Sequence, residues 1–477
     1  MPHLWLSWVK THMVDLWRMH FHAGAEESQG LVLRDELDDY RYDSQGSVSE
    51  NPAVIDSVLS CEDSGPLARP KITTWEAGWN ITNAIQGLFV LGLPFALQQS
   101  GYMGLILLIS SALICTYTGK ILVSCLYEED ENGRSVRVRR TYEDIANACF
   151  KNVCPHIGGI VVNIAQVLEL TMTCILYLVV GSNLMCHSLY FLPLTPVTCS
   201  TVTFLILMPC MLIHDLRAVS RLSFFCSLVQ FLITFIVIGY CLCQSVRWEN
   251  TSLRRVPVDF DGFQVAVGVI IFSYTSQIYL PTLEESMMDR PEFKSMMDWT
   301  HALACILKTS FSVLAFLTWG EETKEVITDN LPTGLRMMVN LCLLVKALLS
   351  YPLPFYATAE ILQISVLKLD SSEAGAEHRT LILRGSLLIL TFIMALYVPH
   401  FSLLMGLTGS VTGAAMTLLL PALFHLQLKW TQLDMSQKAL DLLILLLGSF
   451  CSISGVVCSV KGMIKAFGDR ESTNRSV

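Results

Sequence analysis

From about residue 76 onward, apolar residues fall in runs of roughly twenty, parted by short polar stretches. A helix needs about 20 apolar residues to cross the ~30 Å hydrocarbon core of a bilayer. The pattern therefore predicts an all-α polytopic membrane protein. Eleven spans are expected, over 76–99, 102–126, 157–189, 197–213, 220–243, 262–283, 299–318, 334–366, 380–398, 401–424 and 438–461. A short surface helix is expected from Thr141 to Phe150, with Thr141 as cap and Asp144 three residues on. Gly409 and Gly413, four residues apart, predict close helix packing.

Composition agrees, with 52% of the 477 residues hydrophobic and 15% charged, where soluble domains carry about 25% charged. Much of the net charge of −9 sits in residues 1–70, which read as a cytosolic, mostly disordered acidic tail. Its Trp-rich start, 3–20, is interrupted by Lys10 and Asp15 and has the make-up of an amphipathic surface helix. Residues 71–465 form the transmembrane domain, and 466–477 a short C-terminal tail. Nothing resembles a basic nucleic-acid surface. The 16 cysteines mostly lie in apolar runs, as small buried hydrophobes do. Cys199 with Cys243 is the candidate disulfide. No cysteine or histidine spacing suits zinc, and neither metal nor cofactor is expected.

Lys and Arg in short loops mark the cytosolic side. With a cytosolic N-terminus, that side holds Arg134, Arg137, Arg139, Arg140, Lys151, Arg217, Arg221, Arg290, Lys294, Lys368, Arg379 and Lys429. The other side holds Arg247, Arg254, Arg255, Lys324 and Arg336. The C-terminus then lies opposite the cytosol. Asn250-Thr251-Ser252 is a glycosylation sequon on that side, with Asn250 as its acceptor.

Two spans are interrupted. The first contains Gly87-Leu88-Phe89-Val90-Leu91-Gly92-Leu93-Pro94, and the sixth Ser273-Tyr274-Thr275-Ser276-Gln277-Ile278-Tyr279-Leu280-Pro281. Backbone at membrane depth is left unpaired only where it faces protein or a cavity. A Pro kink in an ordinary bundle accounts for either break alone. Two breaks five spans apart, each ending in Leu-Pro, instead predict a 5+5 inverted repeat with a binding site at its discontinuous helices, as in secondary transporters. N–H groups near Gly87, Leu88, Phe89 and Val90 would take a carboxylate. Carbonyls near Phe272, Ser273, Tyr274 and Thr275 would take an ammonium group, so the site suits a zwitterion. Asn83, Gln86, Ser276 and Gln277 complete the candidate substrate residues, with Phe89 and Tyr274 as walls or gates.

Charges within spans are costly and often functional. Glu169, one turn from Gln166, is the leading candidate to carry a coupling proton. Lys346, just before Ser350 and Tyr351, would stand in for a coupling Na⁺. The alternative for both is a structural ion pair, with one another included. Lys308 and His301 lie nearer a span end, from which their tips reach the interface by snorkelling. Glu284 and Glu285 follow the sixth-span break as gate residues or solvated carboxylates. No hydrolase triad, phosphate-binding loop or zinc-protease motif occurs, so the chain is not expected to be an enzyme.

Several runs resemble the vesicular inhibitory branch of the amino acid/auxin permease family: Lys71-Ile72-Thr73-Thr74-Trp75-Glu76-Ala77-Gly78-Trp79-Asn80, Asn83-Ala84-Ile85-Gln86-Gly87, Phe272-Ser273-Tyr274-Thr275-Ser276-Gln277, 321–332, 346–354, and 397–400 with 403–410. The resemblance covers about 71–465. It implies a leucine-transporter-type fold and the loading of γ-aminobutyrate (GABA), glycine and β-alanine into presynaptic synaptic vesicles. Proton exchange would drive it, with chloride contributing and a vesicular proton pump supplying the gradient. Leu88 stands where many relatives carry a smaller residue, and the resemblance implies that it shapes the pocket for a substrate without an α-amino group. The N-terminal tail and the short linker 370–378 depart from the family pattern, which leaves vesicle sorting less fixed than transport. Two other readings follow the same residues: a lysosomal or plasma-membrane symporter of neutral amino acids coupled to H⁺ or Na⁺, and a non-transporting amino acid sensor.

Overall fold

The computed structural model describes residues 72–477, except 132, 152–156, 189–194, 210–215, 246–247, 249–258, 368–375, 398–400 and 476–477. The acidic tail and Asn250 fall outside the described residues. The membrane domain starts at α1 (Thr74–Ile85), fixed by a capping box. Thr73 Oγ1 accepts the Glu76 N–H at 3.3 Å, and the Glu76 carboxylate accepts the Thr73 N–H at 2.9 Å. α1 ends at Gln86. A 3-10 turn, Leu88–Gly92, then leads into α2 (Leu93–Ser124), with Pro94 in its first turn, where a missing N–H costs nothing.

Nine helical stretches among the described residues are long and apolar enough to cross a membrane. Two of the eleven expected spans account for the difference. Spans 76–99 and 102–126 form one 51-residue stretch, Thr74–Ser124, bent at Gly101. Gly101 has φ 58°, a left-handed conformation that suits glycine. The expected span 197–213 contains the 12-residue α5 (Pro196–Leu207), short of a full crossing.

Between α2 and the surface helix α3 (Tyr142–Phe150), a hairpin forms that the hydropathy did not signal. β1 (Tyr127–Glu129) pairs antiparallel with β2 (Ser135–Arg137), Tyr127 opposite Arg137. α3 carries the expected capping box of Thr141 and Asp144. α4 (Ile157–Ser188) and α5 follow, then α6 (Leu216–Cys243). A disulfide joins Cys186 in the last turn of α4 to Cys199 in the first turn of α5, with Cα atoms 5.9 Å apart. The expected Cys199–Cys243 pair is thereby corrected: Cys243 is free and exposed. The last turn of α4 and the first turn of α5 lie close enough to bring the sequence-near cysteine within bonding range.

α7 (Phe260–Ser273) repeats the pattern of α1. It ends at Tyr274; a 3-10 turn, Gln277–Tyr279, leads into α8 (Leu280–Ser286), with Pro281 in its first turn. α9 (Phe293–Trp319), α10 (Thr333–Ser350), α11 (Pro352–Leu362) and α12 (Ala376–Tyr397) come next. α13 (Phe401–Thr408) continues through π-helical turns into α14 (Leu420–Lys429). α15 (Met435–Arg475) closes the chain and remains helical through most of the expected tail 466–477.

α7 lies at the centre, packed on α2, α13 and α15, while α4 packs on α10. The glycines permit the closest approach. A Cβ on Gly409 would overlap the carbonyl oxygen of Gly268 in α7, and one on Gly268 would overlap that of Gly406. The close packing expected of the 409/413 pair is therefore a backbone-to-backbone contact with α7.

Candidate functional site

One cavity lies between the two helix breaks. Its walls come from four places. The first-span break gives Asn83, Ala84 and Phe89; α4 gives Glu169, Leu170, Thr173 and Tyr177. The sixth-span break gives Phe272, Thr275, Ile278 and Tyr279, and the α10–α11 joint gives Ser350, Leu353 and Pro354. The cavity volume is about 40 Å³. The Phe89 ring bridges two walls, with its centroid 4.7 Å from Phe272 and 5.6 Å from Tyr177.

Three polar atoms of this lining are buried without a hydrogen-bond partner: Asn83 Oδ1, Glu169 Oε2 and Ser350 Oγ. Buried polar groups are nearly always paired in folded proteins, so three orphans on one cavity mark a place that a polar ligand completes. Glu169 is the one charged side chain in the lining and is 2% exposed. Among the described residues it forms no ion pair.

Asn83, Phe89, Phe272, Thr275, Glu169 and Ser350, all read from the sequence, thus meet at one cavity. The other candidates lie elsewhere. Leu88 and Val90 are buried and are not in the lining; Leu88 is 0% exposed. Gln277 is turned to α2, where its Nε2 donates to Thr118 Oγ1 at 3.2 Å and to the Cys115 carbonyl at 3.3 Å. Its Oε1 accepts the Ser276 N–H at 2.9 Å. Tyr351 lies behind the joint, its hydroxyl 3.2 Å from Thr391 Oγ1. Gln166 is buried on α4 outside the lining.

The sequence reading does not single out the lining residues Ala84, Leu170, Thr173, Tyr177, Ile278, Tyr279, Leu353 and Pro354. Helical periodicity would have found the α4 group: Glu169, Thr173 and Tyr177 are spaced by four and share a face.

Each break is held by a buried lysine. Lys346 Nζ donates to the carbonyl of Gln86 at 2.7 Å and to Gln230 Oε1 at 2.7 Å. The alternative of a Lys346–Glu169 pair is thus not the arrangement adopted. Lys308 Nζ donates to the carbonyl of Ser273, lies 3.3 Å from Ser273 Oγ, and sits 3.7 Å over the Tyr274 ring. This corrects the snorkelling expected of Lys308, which is 0% exposed; His301 is also buried, and its Nδ1 donates to the Met297 carbonyl at 3.1 Å. Both lysines sit on faces turned inward by packing against the broken spans, which hydropathy along a single helix does not reveal. Ser273 and Tyr274 therefore face Lys308 rather than the cavity.

Glu284, just past the sixth-span break, belongs to a latch. Tyr127 of the hairpin donates its hydroxyl to Glu284, and Arg137 Nε lies 3.4 Å from the same carboxylate. Arg137 also donates to the carbonyl of Pro281 at 3.1 Å. Burial, first, and the bond to Glu284 push the Tyr127 phenol up to about 12. Glu285 reaches Arg137 at 3.8 Å. The chain before α1 adds to it: Ile72 N–H donates to the Ser286 carbonyl at 2.7 Å, and Met288 N–H to the Ile72 carbonyl at 2.9 Å.

This geometry has relatives. The profile of the family described as transmembrane amino acid transporter protein matches residues 70–465. The vesicular inhibitory amino acid transporter of Xenopus tropicalis is 50% identical over 93% of this chain and 89% of its own length. That of Homo sapiens is 50% identical over 86% of this chain and 80% of its own. The vesicular GABA transporter of Caenorhabditis elegans is 36% identical over 89% of this chain and 87% of its own. Among solved structures, a manganese transporter from Eremococcus coleocola, in complex with an aromatic bis-isothiourea compound, superposes with TM-score 0.51 at 13% identity, covering 88% of this chain and 91% of that one. The fold is accordingly of the leucine-transporter-like class. The chain is an integral membrane transporter, not an enzyme, and belongs to the family of transmembrane amino acid transporter proteins.

Proposed function

We propose that this protein loads GABA and glycine, with β-alanine as a further substrate, into synaptic vesicles in exchange for luminal protons. The observation that carries the reading is the cavity between the two breaks, where Asn83 Oδ1, Glu169 Oε2 and Ser350 Oγ lack partners. Such a set suits a small zwitterion. The names of the vesicular relatives support a vesicular compartment for this reading.

In this reading the bend at Gly101 separates two crossings and α5 is part of a fourth, giving eleven spans in a 5+5 repeat. The matching breaks, each a helix end, a 3-10 turn and a Leu-Pro helix start, support the repeat. The N-terminus is cytosolic and the C-terminus luminal, which the loop charges support.

The driving force is the gradient made by a vesicular proton pump, with chloride contributing, and no cofactor takes part. The lysine ammonium groups on the two break carbonyls stand where a mobile cation would otherwise bind, which favours H⁺ over Na⁺ coupling. Glu169 carries the proton. The cavity opens alternately to either side, and the Tyr127–Glu284–Arg137 latch holds one side shut.

The test is uptake of labelled GABA and glycine into proteoliposomes with an acidic interior, the pH gradient and the potential being collapsed in turn. Uptake that vanishes with the proton driving force supports the exchange. Uptake that survives it, or that needs Na⁺, overturns it.

A further inference from the structure

The cavity offers a substrate's ammonium group few anionic or carbonyl partners. Two carbonyls at the breaks, those of Gln86 and Ser273, already accept hydrogen bonds from Lys346 and Lys308. The Phe272 carbonyl accepts the Thr275 N–H at 3.2 Å. Thr173 Oγ1 is committed to the Glu169 carbonyl at 2.8 Å, and Thr275 Oγ1 accepts from Thr417 at 3.3 Å. What remains are the neutral Asn83 Oδ1 and Ser350 Oγ and a single anion, the carboxylate of Glu169, with Oε2 unpartnered and the residue 2% exposed.

The groups around Glu169 leave it free to take a cation. From its own helix come Gln166, Thr173 and Tyr177; from the first-span break, Asn83; from the sixth, Thr275 and Tyr279; and from the α10–α11 joint, Ser350. From α3 comes Tyr142, whose hydroxyl donates to the Met416 carbonyl at 2.8 Å. The titratable ones are phenols, neutral at physiological pH. Lys346, the nearest cation by sequence to this wall, is spent on Gln86 and Gln230.

We infer that Glu169 binds the substrate's ammonium group and the exchanged proton at the same carboxylate, so that each excludes the other. This rests on the proposed exchange and gives it a mechanism. An isolated buried carboxylate is too costly to leave charged and unpaired. It therefore holds either a proton or an ammonium ion, and in both cases the cavity is neutral there. Bound substrate displaces the proton on one side of the membrane; a proton displaces the substrate on the other. An acidic compartment thus releases the amino acid, and a neutral one loads it. Because the zwitterion carries no net charge, one-for-one exchange moves one positive charge out of the lumen per substrate loaded. Both the pH gradient and the potential then drive uptake, with no second titrating site required.

The experiment is binding to the purified full-length protein in detergent, with GABA, glycine, β-alanine and alanine as probes. Calorimetric titration in two buffers of different ionisation enthalpy counts protons released per amino acid bound. The expected result is release approaching one proton at acid pH, and a Kd that rises by up to about tenfold per pH unit of acidification, as linkage requires. Glu169→Gln should abolish the release, flatten the pH profile and weaken binding, while Glu169→Asp should keep the release over a displaced pH range. A purely structural role for Glu169 would weaken binding in both variants without altering proton release. Proton-neutral binding by the parent protein, or release that persists in Glu169→Gln, overturns the inference. If GABA is loaded into proteoliposomes yet binds without proton release, shared binding fails and vesicular loading stands. If only alanine binds, the substrate reading fails and shared binding is judged on alanine. Failure of every probe to bind overturns both.

Discussion

The ammonium group of Lys346 lies 2.7 Å from the carbonyl oxygen of Gln86, at the residue where the first membrane helix stops. The broken end of a span leaves carbonyls without intrahelical partners. Here a side chain from α10 supplies the missing donor. Removing it by Lys346→Met leaves that carbonyl and Gln230 Oε1 facing an apolar group. Hydrogen bonds to charged groups contribute about 1.5–3 kcal/mol. The variant should unfold at lower temperature in detergent and lose at least about nine-tenths of uptake, a tenfold change being about 1.4 kcal/mol. Parent-like uptake would show that the break holds without the lysine.

Lys308 does the same for Ser273 and adds a cation–π contact with Tyr274. Lys308→Gln keeps a donor but loses the charge over the ring. It should retain part of the stability that Lys308→Ala loses, and the difference, on the order of 1–2 kcal/mol for a desolvated cation–π contact, is read from thermal unfolding of the two variants. Equal unfolding temperatures would mean that the charge over Tyr274 contributes nothing.

The latch predicts a change in access rather than in stability. Glu284→Gln keeps an acceptor for Tyr127 but removes the charge that faces Arg137. Coupling free energies that bias a two-state equilibrium are typically about 1–3 kcal/mol. An Ile278→Cys substitution in the cavity wall should then be modified about 5-fold or more faster by an impermeant thiol reagent applied on the hairpin side. Unchanged labelling would remove the latch from the gating of the cavity.

Gly409 meets Gly268 backbone to backbone, so Gly409→Ala should cost about 1–3 kcal/mol through overpacking. Gly334, on the first turn of α10, has nothing near its missing Cβ. Gly334→Ala should be neutral or stabilising by up to about 1 kcal/mol, since alanine is the better helix former. Denaturation midpoints of the two variants should therefore move in opposite senses.

The Cys186–Cys199 bond closes a short loop, with a sequence separation of 13. Cys199→Ser should destabilise the protein by about 3 kcal/mol on the loop-closure model. Cys243→Ser should not, because Cys243 is unpaired. Thermal unfolding with and without reductant distinguishes them: only the protein that retains both Cys186 and Cys199 should respond to the reductant.

The sequence alone determined that this chain spans a membrane many times, and where two of its spans break. Both follow from local physics. Apolar runs of bilayer length have one stable setting, and Gly and Leu-Pro clusters interrupt a helix wherever it lies. The same logic placed Asn83, Phe89, Phe272, Thr275, Glu169 and Ser350 among the candidates that now meet at one cavity. Tertiary structure decided which face each side chain turns to whom. Tyr274 and Gln277 sit in the same break as Thr275, yet they face Lys308 and Thr118. Tyr177, Tyr279 and Leu353 entered the lining because α4, the sixth-span break and the α10–α11 joint converge. Lys308 reads as a residue near a span end until α9 is packed against α2 and its ammonium group reaches the broken span. The partner of Cys199 likewise depended on how α4 and α5 pack on each other. Hydropathy reports how a segment partitions between water and lipid, which is a property of one helix. Which polar atoms are left without partners is a property of several helices at once, and only their packing fixes it.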